Sequence, residues 1–224
     1  THCISSAASD VYKRQPEDAE RPQVAAIVLA AGRGTRMGGG KMTAKLGGKA
    51  LVRYPHEAAA ASLAGPVFTV LGHDAARVGA ALLDIDTQII ENPDYAQGMS
   101  TSLKAGIAAL PQSAAGAIVL LGDMPYVTPA IINRLIAAFV AHPSAKAIVP
   151  MIGGQRGNPI LIGRSLFDAV MALDGDMGAR KLLDSAGQEI IEIAIDDVAV
   201  LTDVDTPEAL AQLEITGTTR PMQE

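Results

Sequence analysis

Residues 24–41 of this 224-residue chain read VAAIVLAAGRGTRMGGGK, an apolar run that passes directly into a glycine-rich loop. The apolar part has the length of one strand, and its lack of polar alternation is typical of a strand buried on both faces of a parallel sheet. Backbone N–H groups in such a loop can approach phosphate oxygens closely, and Arg36 and Lys41 add positive charge. We therefore predict a phosphate-binding loop after the first strand, rather than a merely flexible connection.

Further apolar runs recur along the chain, and stretches with helical periodicity separate them. The runs predicted as strands are PVFTVL (66–71), TQII (87–90), GAIVLL (116–121), KAIVP (146–150), NPILIG (158–163), EIIEIAI (189–195) and VAVLTDV (198–204). Alternation of strands and helices predicts βαβ units with right-handed crossovers. The expected fold class is α/β, a single Rossmann-like domain whose mostly parallel sheet is flanked by helices.

Capping residues mark the starts of several predicted helices. Ser100 or Thr101 is expected to cap the helix after the third strand. Thr128 precedes a proline at the start of the next helix, and Thr206 precedes the last one. Two further short helices are expected near 163–172 and 177–186.

Composition excludes several classes of protein. The formal charge of −6, from 18 Lys and Arg against 24 Asp and Glu, argues against a general nucleic-acid binder. No apolar run reaches the roughly 18 residues of a membrane span, and a single cysteine excludes an internal disulfide framework. We expect a cytoplasmic protein with no nucleic-acid or membrane partner. The domain is predicted over 24–214, with a disordered or non-native tail over 1–23 and a C-terminal tail over 215–224.

Small and polar residues follow the predicted strands, at the edge where ligands of open α/β sheets bind. The segment ENPDYAQGMSTS (91–102) follows the third strand and can read a nucleobase edge or bind an anion; the alternative is an over-capped helix. LGDMP (121–125) follows the fourth strand, and its Asp123 is either a Mg²⁺ ligand or a turn cap. We predict that these segments lie beside the glycine-rich loop.

Two later motifs add candidate ligands. In DVDTPE (203–208) the acids Asp203 and Asp205 share one face, which makes Asp205 a candidate second metal ligand; the alternative is capping of the last helix. The segments GNP (157–159) and DGDMGAR (174–180) suit an anionic second substrate, or are surface loops.

Two familiar phosphate-binding patterns fail on spacing. A P-loop would need glycine where Thr35 stands, and Met42 occupies its Ser/Thr position. The dinucleotide fingerprint would need its third glycine where Met37 stands. This second mismatch disfavours a nicotinamide-dependent oxidoreductase.

The motifs LAAGRGTRMGGGK, VLGHDAARV, NPDYAQGMSTSLKAGI, LGDMP, RGNPILIGR, LDGDMGAR and DVDTPEAL occur in the order seen in molybdenum cofactor cytidylyltransferases, which are MobA-like NTP transferases. The chain resembles this family over about residues 24–213. The resemblance implies a Mg²⁺-dependent enzyme that joins CTP to a molybdopterin-type cofactor and releases pyrophosphate. It also implies a molybdoenzyme or an insertion chaperone as partner.

Site residues follow from the resemblance by position. It implies catalytic roles for Lys41, Arg36 and Asp123, and metal binding by Asp123 and Asp205. The acceptor side would include Asn158, Asp176 and Arg180. The nucleotide site would comprise Leu29, Ala30, Ala31, Gly32, Gly34, Arg36, Lys41, Asn92, Gly98, Ser100, Thr101 and Ser102. Two positions depart from the family pattern: Lys45 stands where proline is usual, and Asn158 where histidine is common.

Other functions remain open at this point. A guanylyltransferase for the same cofactor, or a nucleotidyltransferase acting on another phosphate acceptor, would use the same motifs. A carrier of finished cofactor would bind it without releasing pyrophosphate.

Overall fold

The computed structural model describes residues 22–179, 182–183 and 189–217. Its central strand is β1 (Val24–Ala30), in which every residue is buried. Side chains of a strand point alternately to opposite faces, so Val24, Ala26 and Val28 enter one core while Ile27 and Leu29 enter another. The continuous apolar run thus reflects burial on both faces, as predicted.

The remaining strands flank β1 on both sides. They are β2 (Lys45–Leu46), β3 (Lys49–Ala50), β4 (Val67–Leu71), β5 (Gln88–Glu91), β6 (Gly116–Leu121), β7 (Ala147–Ile152), β8 (Gln155–Arg156), β9 (Ile160–Gly163) and β10 (Ile190–Ala194). The main sheet has the order β10-β7-β9-β6-β1-β4-β5, with β8 paired to β7, while β2 and β3 form a separate ribbon. Strand β9 runs antiparallel to β6 and β7, whereas β1, β4, β5 and β6 are parallel neighbours. The predicted single α/β domain with a mostly parallel sheet is confirmed.

Helices cover both faces of the sheet. They are α1 (Arg53–Ala60), α2 (Ala75–Ala80), α3 (Met99–Ala108), α4 (Pro129–Ala141), α5 (Phe167–Met171) and α6 (Pro207–Gly217). Helices α1 and α4 pack into one core, and α3 and α5 into the other. None of the helices seen in the described ranges is both long and apolar enough to cross a membrane.

The caps predicted at Thr128 and Thr206 are confirmed, and the cap predicted at Ser100 or Thr101 is wrong. The Thr128 hydroxyl accepts a hydrogen bond from the Ile131 amide at 3.3 Å, and the Thr206 hydroxyl accepts one from the Ala209 amide at 3.2 Å. Helix α3 instead starts from Gly98, with no side-chain cap. Ser100 and Thr101 both lie inside the first turn of the helix rather than before it, and the Thr101 hydroxyl donates back to the Gly98 carbonyl.

Two strand predictions need correction. The segment VAVLTDV is not a strand, because Val198–Leu201 forms a 3₁₀ turn in which the Asp197 side chain accepts from the Ala199 amide. Strand β5 is an exposed edge strand rather than one buried on both faces, since β4 is its one partner among the described strands. The helix predicted near 163–172 is present as a 3₁₀ turn followed by α5, while much of 177–186 lies outside the described residues.

Candidate active site

A cleft of about 550 Å³ opens at the carboxyl ends of β1, β5 and β6. The strands are parallel, so the loops that follow them emerge at the same edge of the sheet. The prediction that the three loops lie side by side is confirmed. The residues that line the cleft are Leu29, Ala31, Gly32, Arg33, Gly34, Thr35, Arg36, Lys41, Met42, Tyr95, Ala96, Gly98, Met99, Ser102, Leu121, Asp123, Asp176 and Asp205.

Lys41 is the centre of the charged groups in this cleft. Its Nζ lies 2.5 Å from Oδ2 of Asp123 and 2.6 Å from Oδ1 of Asp205. The Lys41 residue is only 8% exposed, and it belongs to a 3₁₀ turn at the end of the glycine-rich loop. A buried ammonium group held between two carboxylates has a fixed position, which a flexible surface lysine lacks.

Protonation states follow from this arrangement. Burial lowers the pKa of Lys41, but the charges and hydrogen bonds of Asp123 and Asp205 outweigh burial and raise it overall. The hydrogen bond from Lys41, helped by the nearby positive charges, holds the pKa of Asp205 below its usual value despite partial burial. At neutral pH, Lys41 is therefore a cation and Asp205 an anion.

Arg36 joins the same cluster from the solvent side. Its Nη1 donates to Oδ2 of Asp205 at 2.8 Å, so the two oxygens of that carboxylate serve two different cations. The Arg36 side chain is 73% exposed, which leaves its ion pair strongly screened by water. Arg36 can therefore exchange Asp205 for an anionic ligand at small cost.

Gly34 allows the loop to close on Lys41. The residue has a positive φ of 56°, and a Cβ placed on it would lie 2.5 Å from Cβ of Lys41. Any side chain at this position would displace the lysine from its two carboxylates. The glycine-rich loop thus serves to position Lys41 as well as to expose backbone N–H groups.

The acidic residues fit a divalent cation. Oδ1 of Asp123 is buried and has no hydrogen-bond partner among the described residues, although Oδ2 of the same group binds Lys41. An unpaired buried carboxylate oxygen is costly unless a donor or cation occupies the site. No group of three or more His, Cys, Asp or Glu residues suited to a metal occurs in the described part of the chain. Two carboxylates suit Mg²⁺, which commonly takes one or two together with substrate phosphates.

The turn before α3 is fixed by Asn92. Its Nδ2 donates to Oγ1 of Thr101 at 2.8 Å and to Oγ of Ser102 at 3.0 Å. Asn92 is 5% exposed and neither it nor Thr101 lines the cleft, so both hold the turn in shape behind the cleft wall. Ser102 and Gly98 do line the cleft. Ser100 is buried, and its hydroxyl has no partner among the described residues.

The predicted acceptor residues do not lie together. Asp176 lines the cleft, whereas Asn158 lines a second cavity and Arg180 lies outside the described residues.

Ala30, which was predicted to belong to the nucleotide site, is fully buried in β1 and does not line the cleft.

Sequence reasoning missed an aromatic wall of the cleft. The Arg33 guanidinium lies 5.7 Å from the centre of the Tyr95 ring, and the His73 ring lies 6.0 Å from it on a tilted plane. Arg33 and Tyr95 both line the cleft. Tyr95 stands within the segment proposed to face a nucleotide, but no local pattern indicates that its ring meets Arg33.

Comparisons with known proteins give the family and the fold of the chain. The family model of the MobA-like NTP transferase domain matches residues 26–190. The chain is 30% identical to nicotine blue oxidoreductase of Paenarthrobacter nicotinovorans over 202 residues, which cover 88% of this chain and 98% of that protein. It is 36% identical to the bifunctional protein GlmU of Micrococcus luteus over 134 residues, covering 56% of this chain but only 27% of that longer protein.

Among solved structures, the Rv0371c protein of Mycobacterium tuberculosis H37Rv superposes with a TM-score of 0.77 at 28% identity, covering 87% of this chain and 98% of that one. A complex of the same protein with manganese superposes with a TM-score of 0.72 at 27% identity, over 87% and 99% of the two chains.

Proposed function

The chain belongs to the MobA-like NTP transferase family and is an enzyme of the nucleotidyltransferase type, and we propose that it joins CTP to the terminal phosphate of a molybdopterin-type cofactor, with release of pyrophosphate. The observation that supports a transferase reaction most directly is the Lys41 ammonium group, held between Asp123 and Asp205 beside the glycine-rich loop. The order of the motifs supports cytosine as the base and molybdopterin as the acceptor.

The proposed chemistry is an in-line displacement at phosphorus. An oxygen of the acceptor phosphate bonds to the α-phosphorus of CTP, the bond from that phosphorus to the bridging oxygen breaks, and pyrophosphate leaves with the electron pair. The acceptor phosphate is already ionised, so the protein needs no serine or cysteine nucleophile. Lys41 stabilises the charge that develops at the α-phosphate, and Arg36 holds the β- and γ-phosphates.

Asp123 and Asp205 are the proposed ligands of Mg²⁺. The unpaired Oδ1 of Asp123 supports this assignment, because it is a buried acceptor with no donor among the described residues. When bound, the cation supplies neutralisation of phosphate charge. Lys41 binds the other oxygen of Asp123 and one oxygen of Asp205, which places the ammonium group beside the proposed cation site.

A nucleotide-binding panel tests the base. Thermal unfolding is measured with CTP, GTP, ATP, UTP and NAD, each with and without Mg²⁺. A ligand at 100 times its Kd stabilises the folded chain by about 2.7 kcal/mol, which is a shift of a few degrees for a domain of this size. The largest Mg²⁺-dependent shift is expected with CTP, and a largest shift with GTP would replace cytidylyl by guanylyl transfer.

Pyrophosphate release tests the reaction itself. Purified protein is incubated with CTP, Mg²⁺ and molybdenum cofactor, and both pyrophosphate and the dinucleotide product are measured. We expect one pyrophosphate for each dinucleotide formed. Cofactor binding without pyrophosphate would instead identify a carrier.

A second candidate function is oxidation or reduction of a heterocyclic substrate. The similarity to nicotine blue oxidoreductase favours it, because that match covers 98% of the relative. The mismatch of Met37 to the dinucleotide fingerprint weighs against it. Consumption of NADH or NADPH in the presence of a heterocyclic dye, without pyrophosphate release, would favour the redox function.

A further inference from the structure

A second cavity, of about 540 Å³, adjoins the acidic segment that also lines the cleft. Asp205 lines the cleft and Asp203, two residues earlier, lines this second cavity. The cavity is lined by Met124, Gln155, Arg156, Asn158, Val200, Leu201 and Asp203. A transferase must bring two substrates together, and residues 203–205 contribute a side chain to each of the two cavities.

Backbone hydrogen bonds fix the walls of the second cavity. The Asn158 amide donates to the Val200 carbonyl at 2.8 Å, which ties the β8–β9 connection to the Val198–Leu201 turn. The Val204 amide donates to the Asp123 carbonyl at 3.0 Å, which ties the acidic segment to the end of β6. The walls of the cavity are therefore part of the folded framework.

Three polar side chains of this cavity are not bonded to any other residue that the structure describes. Within the described ranges, the side chains of Gln155, Asn158 and Asp203 make no hydrogen bond or ion pair to another residue. Arg156, in contrast, donates from Nε to Glu192 at 2.8 Å. One carboxylate and two amides are thus available to a ligand, next to the exposed apolar side chain of Leu201.

We infer that the second cavity binds the ring system of the acceptor, an aminopyrimidinone heterocycle such as a pterin, and that Asp203 accepts hydrogen bonds from its N–H edge. The inference rests on the proposed function. Such a ring presents two neighbouring N–H donors that match the two oxygens of one carboxylate, and this charge-assisted pairing is directional. The amides of Gln155 and Asn158 can donate to the ring's carbonyl and nitrogen acceptors. The partly exposed Leu201 side chain offers apolar surface to one of its flat faces.

The test is direct binding of a fluorescent pterin, 6-hydroxymethylpterin, to the full chain. Binding is followed by quenching in the wild type and in Asp203→Asn and Gln155→Ala variants. We expect Asp203→Asn to weaken pterin binding about tenfold or more, because a hydrogen bond to a charged group is lost, and Gln155→Ala to weaken it less. The matched control is Asp196→Asn, which removes the same charge from an exposed residue outside the cavity and should leave pterin binding unchanged.

Three results would overturn the inference. They are no pterin binding by the wild type, equal pterin binding by the wild type and Asp203→Asn, and tighter Asp203-dependent binding of glucose 1-phosphate than of the pterin. The same proteins are titrated with CTP and Mg²⁺, and the variants are expected to bind CTP within about twofold of the wild type. Failure of the proposed function would appear as no CTP binding or pyrophosphate release by the wild type, which the pterin titration does not measure.

Discussion

The Nζ of Lys41 lies 2.6 Å from Oδ1 of Asp205, a residue 164 positions later in the chain. The same nitrogen lies 2.5 Å from Asp123, which follows strand β6. Three distant segments of the chain therefore meet at one ammonium group, which is buried before any substrate arrives. This preorganisation is the physical basis of the predictions that concern catalysis.

Replacement of Lys41 by methionine should lower kcat about 10²- to 10³-fold, as loss of one charged transition-state contact does. The side chain keeps its length but loses the charge that would face the α-phosphate. Rates of pyrophosphate release check this. The control is Lys45→Met, an exposed lysine that does not line the cleft. Near-wild-type kcat in Lys41→Met would remove Lys41 from the catalytic machinery.

Replacement of Asp123 by asparagine should raise the Mg²⁺ concentration needed for half-maximal rate by about tenfold or more. The change removes negative charge from a side chain that is 14% exposed and has one unpaired buried oxygen. Initial rates over a Mg²⁺ titration measure the shift. The control is Asp86→Asn, because Asp86 is exposed and does not line the cleft. An unchanged Mg²⁺ requirement would exclude Asp123 as a metal ligand.

Replacement of Gly98 by alanine should lower the free energy of unfolding by about 3 kcal/mol. Gly98 has a φ of +122°, and an added Cβ would lie 2.3 Å from the Gly175 carbonyl group. Urea unfolding gives the change, and nucleotide affinity should fall with it because Gly98 lines the cleft.

Gly175→Ala is the matched variant for that experiment. Gly175 is the residue that Gly98 approaches, and its own φ is +60°. A Cβ added to Gly175, however, would have no atom within 4 Å. Only left-handed backbone strain remains, so we expect a loss of about 1 kcal/mol. Equal losses in the two variants would show that the close approach of Gly98 to Gly175 carries no energetic weight.

Stability should fall as the pH drops below about 6.5, because His56 is buried in its neutral form. Its Nδ1 donates to the Val52 carbonyl at 2.8 Å, Nε2 contacts the Thr69 hydroxyl, and burial lowers the pKa of the ring. The unfolded chain therefore binds more protons at this residue below pH 6.5, and protonation favours unfolding. The slope for one group is at most about 1.4 kcal/mol per pH unit.

Urea midpoints between pH 5 and pH 8 measure this effect. His56→Asn should be less stable at neutral pH and should lose the part of the slope that belongs to His56. His142→Asn, at an exposed histidine, should keep the wild-type slope. A wild-type slope in His56→Asn would assign the pH dependence to other groups.

Part of the fold and of the site could be predicted because the signals are local. The apolar run of β1 and the cap at Thr128 depend on nearest neighbours and on burial, and both were predicted correctly. The Val198–Leu201 turn was not, since its apolar residues suggest a strand. Its shape is set by the Asp197 side chain and by the distant Asn158 amide, which no local pattern reveals.

The residue types of the site could be predicted from the sequence alone. They are a glycine-rich loop with Arg36 and Lys41, and acidic residues that follow strands. Their pairing was not, because it depends on how the β6 and C-terminal segments pack. In the folded chain, Asp123 and Asp205 both bind the Lys41 ammonium group. Asp203 lines a separate cavity, and Asn92 lies behind the cleft wall, where it binds Thr101. Local backbone preferences act over a few residues, whereas charge pairing and cavity shape arise from groups far apart in the chain, such as Lys41 and Asp205, which are 164 positions apart.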